Sequence, residues 1–136
     1  AGDCLEVRAT FAPAGDAVVG LALRRTPDGT EETRVRYDRA RGLLTLDCAR
    51  SSLDVGVDRE VDGAALPLAP DEPLELRVFL DRSVVEVFAN GRVAVSDRIY
   101  PSRPDALGVG AFVDGSEARL ASLDVWGMAP IWPTTE

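Results

Sequence analysis

Three consecutive runs of alternating apolar residues, between Leu74 and Ile99, constrain the fold of this chain more than any other feature. The apolar positions are Leu74, Leu76, Val78, Leu80, Val85, Val87, Ala89, Val93 and Val95. A period of two residues is that of a β-strand with one face toward a core. Asp81-Arg82-Ser83 and Asn90-Gly91 separate the runs, and Asn-Gly favours a type I′ hairpin turn. The stretch therefore predicts a three-stranded antiparallel meander.

Seven further segments are apolar or alternating and are bounded by Gly, Pro, Asp or Ser. They cover residues 4–11, 18–23, 32–37, 43–48, 65–69, 107–113 and 118–126. The segment 65–69 is expected to be an edge strand because Pro67 cannot donate to a central ladder. The polar segment 49–62 is expected to be a long loop. About ten short strands without a helical period predict an all-β fold, a two-sheet antiparallel β-sandwich, with a closed barrel as the alternative.

Length and charge limit the function. A chain of 136 residues is most simply one domain. The net charge of −8 argues against nucleic acid and anionic membrane surfaces, and no apolar run approaches the ~20 residues that span a bilayer. All fifteen basic residues are Arg, so the usual general base and metal ligand (His) and the Schiff-base residue (Lys) are both missing. We therefore expect no cofactor, no metal, no nucleic acid and no membrane partner.

Carboxylates are the groups left for acid–base chemistry. Most of the twenty-three Asp and Glu residues lie in turns or alternate on predicted solvent faces, as Glu6, Glu32 and Glu75 do. A few charged residues lie instead in the meander or near the start of the predicted loop. Their carboxylate and guanidinium groups can form hydrogen bonds with sugar hydroxyls, and a Trp ring can stack on a sugar ring. These carbohydrate-binding candidates are Asp47, Arg50, Asp81, Arg82, Glu86 and Trp126. The alternative for Glu86 is a structural ion pair with Arg77. No residue is assigned a catalytic role.

The sequence LRVFLDRSVVEVFANG, residues 76–91, resembles the signature of the C-terminal β-sandwich of glycoside hydrolase family 32. This family includes invertases, levanases, inulinases and fructan exohydrolases. The matching positions are Asp81, Ser83, Val85, Glu86, Phe88 and Gly91. Residues 96–101 (SDRIYP), 50–53 (RSSL) and the closing strand 120–126 are similar to further segments of that module. The likeness covers nearly the whole chain.

The resemblance implies a non-catalytic sandwich, residues 1–136, that follows and supports a five-bladed propeller acting on sucrose or fructans. The propeller's N-D-P-N-G, R-D-P and E-C blocks do not occur here, and Asn90 is the only Asn in the chain. The alternative is a stand-alone module that binds a fructose-containing carbohydrate. We expect a secreted or extracellular location. The resemblance also implies a disulfide between Cys4 and Cys48, where the composition alone leaves two buried thiols equally open.

Overall fold

The computed structural model describes residues 3–52, 61–114 and 118–127. These residues form ten strands and contain no helix long and apolar enough to cross a bilayer. The strands are β1 (Cys4–Ala12), β2 (Val18–Arg25), β3 (Thr33–Asp38), β4 (Leu43–Asp47), β5 (Val61–Ala65), β6 (Leu74–Asp81), β7 (Val84–Ala89), β8 (Val93–Arg98), β9 (Gly108–Asp114) and β10 (Arg119–Gly127).

The ten strands of the described residues form two five-stranded antiparallel sheets, which confirms the predicted sandwich and not the barrel. Sheet A has the order β10-β1-β6-β7-β8, and sheet B has the order β5-β4-β3-β2-β9. Side chains that alternate toward the other sheet make the core; on β1 these are Leu5, Val7, Ala9 and Phe11, all buried. The alternation read from the sequence is therefore the inward face of each strand.

The predicted meander is present as β6, β7 and β8. Asn90 and Gly91 have φ angles of 53° and 62°, as a type I′ turn requires. The Asn90 side chain also fixes the start of β6, because its Oδ1 accepts a hydrogen bond from the Glu75 backbone N at 2.7 Å and its Nδ2 donates to the Pro73 carbonyl at 2.9 Å. The backbone of the turn thus joins β7 to β8, and its Asn90 side chain ties the turn to the start of β6.

The edge strand that was predicted at residues 65–69 lies earlier in the chain. Strand β5 covers Val61–Ala65, whereas residues 66–69 are outside any strand. Leu66 is instead a buried anchor whose carbonyl accepts a hydrogen bond from the Tyr37 hydroxyl at 2.7 Å. The polar segment predicted as a loop therefore ends before Val61, and its residues 53–60 lie outside the described part of the chain. Strand β5 shows no apolar alternation because its pairing with β4, not its own composition, holds it in the sheet.

The sandwich has two different edges. At the closed edge, β5 of sheet B contacts β8 of sheet A. At the open edge, β9 and β10 also approach each other, but three of their apolar side chains occupy core-facing positions and stay exposed: Val113 (38%), Leu120 (37%) and Val125 (40%). Val113 pairs with buried Val19, and Val125 pairs with buried Val7, which fixes the direction of both side chains.

Candidate functional site

The six residues predicted to contact carbohydrate lie in three separate parts of the sandwich. They divide into Asp47 and Arg50 at the end of β4, Asp81 and Arg82 at the turn between β6 and β7, and Glu86 and Trp126 on the outer face of sheet A. The first pair belongs to sheet B and the other four residues to sheet A. The structure therefore does not gather the six candidates into one site, and β1 and β6 separate Glu86 on β7 from Trp126 on β10 even though both lie on the same face.

Asp47 and Arg50 line a recess of about 200 Å³ on the outer face of sheet B. Strand pairing sets Asp47 opposite Arg34, and Arg36 lies two residues further along β3. Asp47 Oδ1 accepts a hydrogen bond from the Ala49 backbone N at 2.9 Å, which closes the turn after β4. The recess thus offers a carboxylate beside several guanidinium groups.

Glu32 holds these guanidinium groups in place, although the sequence indicated a solvent-exposed side chain. Its side chain is only 3% exposed, and it forms ion pairs with Arg34 Nε at 2.7 Å, Arg25 Nε at 3.1 Å and Arg50 Nη1 at 3.3 Å. Arg50 also donates to the Gly29 carbonyl. A carboxylate so buried needs partners of this kind, because its desolvation is costly. Arg25 and Arg34 are near Glu32 in the sequence and were the local signal for two of these pairs, whereas the pair with Arg50 requires β4 to return beside β3.

Glu31 is a second buried carboxylate that the sequence did not reveal. It accepts hydrogen bonds from the backbone N of Ser102 at 2.9 Å and of Arg103 at 3.0 Å, both in the loop before β9. The Arg103 guanidinium in turn pairs with Asp105 and Asp28. The hydrogen bond from Arg103 holds the pKa of the Asp28 carboxyl well below its usual range. Residues separated by seventy positions meet here, so no local sequence pattern predicts the contact.

The turn at Asp81 and Arg82 joins the two sheets through its backbone. Arg82 has a φ of 55°; its N donates to the Asp3 carbonyl at 2.7 Å and its carbonyl accepts from Arg24 Nη1 at 2.8 Å. Arg24 also donates from Nε to the Ala106 carbonyl at 2.6 Å, and burial lowers the pKa of its guanidinium. These contacts tie the strand β2 of sheet B to sheet A. The shape of this turn is therefore explained by the backbone contacts that it makes with both sheets.

The disulfide implied by the family resemblance is not formed in the structure, where Cys4 and Cys48 are both thiols. Cys4 alternates with buried Leu5, so it lies on the outer side of sheet A, and its Sγ donates to Asp81 Oδ1 at 3.6 Å. Cys48 follows β4 of sheet B and is buried in the core. Side chains on opposite sides of a sheet cannot meet the short Cβ separation that a disulfide needs. Burial raises the pKa of the Cys4 thiol.

The outer face of sheet A carries a ladder of charged and aromatic side chains. Glu6 Oε2 accepts hydrogen bonds from Arg8 Nε at 2.8 Å and Arg77 Nε at 2.9 Å, and these bonds, that from Arg8 first, lower the pKa of Glu6. The Arg8 guanidinium lies 5.5 Å from the centre of the Trp126 ring. Trp126 thus already has a cation over its ring, the group that was expected to stack on a sugar.

Glu86 does not pair with Arg77, contrary to the expected ion pair. Arg77 donates to Glu6 on β1 instead, and its guanidinium lies 4.7 Å from the centre of the Phe79 ring. Glu86 stands opposite Phe79 and is exposed. Beside it, a groove of about 550 Å³ crosses β1, β6 and β7, with Phe88 and Glu75 among its lining residues. Within the three described ranges, no group of three His, Cys, Asp or Glu residues is placed to hold a metal ion.

Comparison with known proteins identifies a family and several relatives with this architecture. The family model described as "Glycosyl hydrolases family 32 C terminal" matches residues 1–127. The levanase of Bacillus subtilis (strain 168) is 32% identical, over 98% of this chain and 20% of the levanase. The extracellular exo-inulinase of Aspergillus awamori is 32% identical, over 96% of this chain and 25% of that protein.

Solved structures agree with the sequence relatives. The crystal structure of an exo-inulinase from Aspergillus awamori superimposes with a TM-score of 0.77 at 31% identity, covering 96% of this chain and 26% of that one. A fructosyltransferase from A. japonicus superimposes with a TM-score of 0.84 over 97% of this chain and 24% of that one; at 22% identity it shows the shared fold. The chain thus spans about a quarter or less of each relative. With a family model that covers residues 1–127, the chain belongs to the C-terminal domain family of glycoside hydrolase family 32.

Proposed function

We propose that this chain is the non-catalytic β-sandwich module of a β-fructosidase-type enzyme and supports a catalytic propeller that precedes it. The observation that carries the proposal is the open edge, where Val113, Leu120 and Val125 face the core but are each more than a third exposed. Apolar groups in such positions mark a surface that another body covers. The partial coverage of the longer relatives, 20% of the levanase among them, supports a catalytic domain as that body.

The proposal also covers the substrate and the location of the longer enzyme to which this module would belong. The relatives named levanase and extracellular exo-inulinase support an enzyme that acts on sucrose or fructans outside the cell. The chain itself is then expected to release no fructose from sucrose or levan, because the polar groups of its two faces are held in ion pairs with each other. Fructose release by the purified 136-residue chain would contradict a supporting role.

Two measurements test the supporting role. The natural product, captured by an antibody against this chain, is expected to have a mass far above the 14.5 kDa of the module. Amide hydrogen exchange is then compared between that product and the isolated chain. Strands β9 and β10 are expected to gain protection in the longer protein, while the central strand β6 serves as the internal control. A natural product of 14.5 kDa, or unchanged exchange at the open edge, would overturn the proposal.

The recess on sheet B favours a second candidate function, the binding of a fructose-containing carbohydrate. Its Asp47 carboxylate can accept hydrogen bonds from vicinal hydroxyls, and its guanidinium groups can donate to them. A volume of about 200 Å³ suits one sugar ring better than a polymer. This function would act alone or beside the supporting role.

Calorimetry with fructose, levan and inulin tests this second function. Asp47→Ala is expected to abolish the heat of binding, whereas Glu86→Ala, on the outer face of the other sheet, is the matched control and should leave it unchanged. Absence of heat with the wild-type chain at millimolar sugar would remove the carbohydrate function. Loss of binding in Glu86→Ala alone would exclude the recess.

A further inference from the structure

Two carboxyl groups meet at the closed edge of the sandwich. Asp62 on β5 pairs with buried Leu46, and Asp97 on β8 pairs with buried Val85. Residues directly opposite in antiparallel strands share a face, so both Asp side chains point between the sheets. The Asp62 carboxyl is also among the groups that raise the pKa of Asp97, as expected for neighbouring carboxyl groups. Because β5 belongs to sheet B and β8 to sheet A, this contact joins the two sheets.

One carboxyl oxygen of Asp97 has no hydrogen-bond donor. Its Oδ1 accepts a hydrogen bond from the Arg98 backbone N at 2.8 Å, whereas its Oδ2 is buried and has no hydrogen-bond partner among the described residues. Two ionised carboxylates are acceptors only, and their charges repel. A single proton on one of them would supply the missing donor and remove the repulsion.

The surroundings of the pair offer no countercharge within the described strands. β4 and β7 present Leu46 and Val85 toward it, and Asp62 is the titratable side chain that faces Asp97 from β5. Glu86 on β7 and Arg98 on β8 alternate to the outer face and are exposed. Burial first, and then the Asp62 carboxyl, raise the pKa of Asp97, as expected for a group that keeps its proton.

We propose that Asp62 and Asp97 share one proton across the β5–β8 contact and form a latch that holds the closed edge together in mildly acidic solution. In the closed state, the protonated Asp97 carboxyl donates a hydrogen bond to the Asp62 carboxylate. When the pH rises, that proton passes to solvent, the charge of the pair goes from −1 to −2, and the edge loosens. The latch thus makes the closed edge weaker in neutral than in acidic solution.

The sign of the linkage follows from the proton count. The folded chain retains a proton that the unfolded chain has already released, in the window between the ordinary pKa of Asp and the raised pKa of Asp97. Stability from the latch is therefore complete below that window and is lost as the pH rises through it. Each unit by which the pKa is raised corresponds to about a tenfold change in the unfolding equilibrium constant.

The test compares urea unfolding of the wild-type chain, Asp97→Asn and Asp62→Asn between pH 3 and 8. Asn keeps the shape and supplies an N–H donor that does not titrate. Asp97→Asn is expected to lose the fall in stability across the window and to lie further toward the folded state than the wild type at neutral pH, by about tenfold for each unit by which the Asp97 pKa is raised. Asp62→Asn is expected to make the fall smaller without removing it, because Asp97 stays buried. Asp124→Asn, on the exposed strand β10, is the matched control and should keep the wild-type profile.

Carboxyl carbon NMR gives an independent measurement on the wild-type protein. Asp97 is expected to titrate above the ordinary value for Asp, and Asp62→Asn should lower its midpoint by removing the shared charge. Parallel pH profiles in wild type and Asp97→Asn, or an Asp97 midpoint at or below the ordinary value, would overturn the latch. Stabilisation of the wild type by calcium that Asp97→Asn abolishes would also overturn it, because the pair would then hold a cation in place of a proton.

Discussion

At the scale of single residues, Asn90 shows how one side chain can specify a turn. Its φ of 53° is a conformation that costs most side chains about 1–2 kcal/mol, and its amide group bonds to the backbone of both Pro73 and Glu75. Asn tolerates the backbone geometry because its short polar side chain can bond locally. A single position thus closes the β7–β8 turn and anchors the entry to β6.

Substitution of Asn90 separates these two roles. Asn90→Gly keeps the backbone conformation and loses three side-chain hydrogen bonds, the one to Glu72 being long at 3.4 Å, so we expect a loss of about 2 kcal/mol in the free energy of unfolding. Asn90→Ala also strains the backbone and is expected to lose about 1 kcal/mol more than Asn90→Gly. Urea unfolding of both variants checks the order, and an Ala variant as stable as the Gly variant would show that the turn changes its geometry.

Residue chemistry also shows what the sequence could not predict. Asp47 and Arg50 are three positions apart, so their shared recess follows from local spacing. Glu32, directly before β3, forms an ion pair with Arg50, and Glu31 meets the loop at Ser102. Both contacts depend on the path of the whole chain. Side chains bound across such distances leave no local pattern in the sequence, and their burial is visible only once the sheets are assembled.

At the scale of elements, strand β2 lies between β3 and β9 in sheet B and depends on a glycine. A Cβ added at Gly20 would lie 1.8 Å from the Val35 carbonyl O and 3.0 Å from Phe112 Cζ. Gly110, which lies opposite Ala22 on the neighbouring strand β9, has nothing within 4 Å of an added Cβ. The two glycines therefore occupy the same sheet with opposite steric demands.

Alanine at these two glycines gives a matched comparison. Gly20→Ala must displace the β3 backbone and is expected to lower the free energy of unfolding by about 3 kcal/mol. Gly110→Ala is expected to be neutral or to stabilise by about 0.5 kcal/mol, because Ala restricts the unfolded chain. Urea midpoints measure both. Equal losses in the two variants would show that general strand entropy, and not the contact at Val35, explains the glycine.

Elements differ in how far their sequence determines them. The meander could be predicted because alternation and the Asn90-Gly91 turn are local properties of the chain. Strand β5 could not, since Val61–Ala65 has Gly and Ala at its centre and is held by pairing with β4. An edge strand of small residues has little apolar pattern of its own, which is why the strand was expected at residues 65–69 and not at Val61–Ala65.

At the scale of the whole molecule, the two edges of the sandwich differ in how completely they are covered. The closed edge joins β5 to β8, whereas the open edge leaves core-facing Val125 40% exposed. Val7 pairs directly with Val125 on the neighbouring strand and is fully buried. The same residue type in the same inward orientation thus experiences two environments, and this difference can be measured.

The valine pair provides a test of coverage. In the isolated chain, Val125→Thr is expected to change the free energy of unfolding by about 0.5 kcal/mol or less, as at a surface position. Val7→Thr should cost about 2 kcal/mol, because it buries a hydroxyl group in the core. Urea unfolding gives both values. If Val125→Thr costs as much as Val7→Thr, the open edge is already covered within this chain and needs no catalytic domain.

The hydrogen bonds from Ser102 and Arg103 to the Glu31 carboxylate affect how the chain resists proteases. Residues 99–107 carry the chain from sheet A to sheet B, and a connection of this length and exposure is ordinarily a preferred site of cleavage. Here a buried carboxylate binds two consecutive backbone amides of the connection, and the Arg103 side chain is engaged by two further carboxylates. A protease must extend a substrate segment to cut it, and this crossing cannot be extended without breaking those bonds. We therefore expect proteases to cleave this connection more slowly than an exposed loop without such bonds.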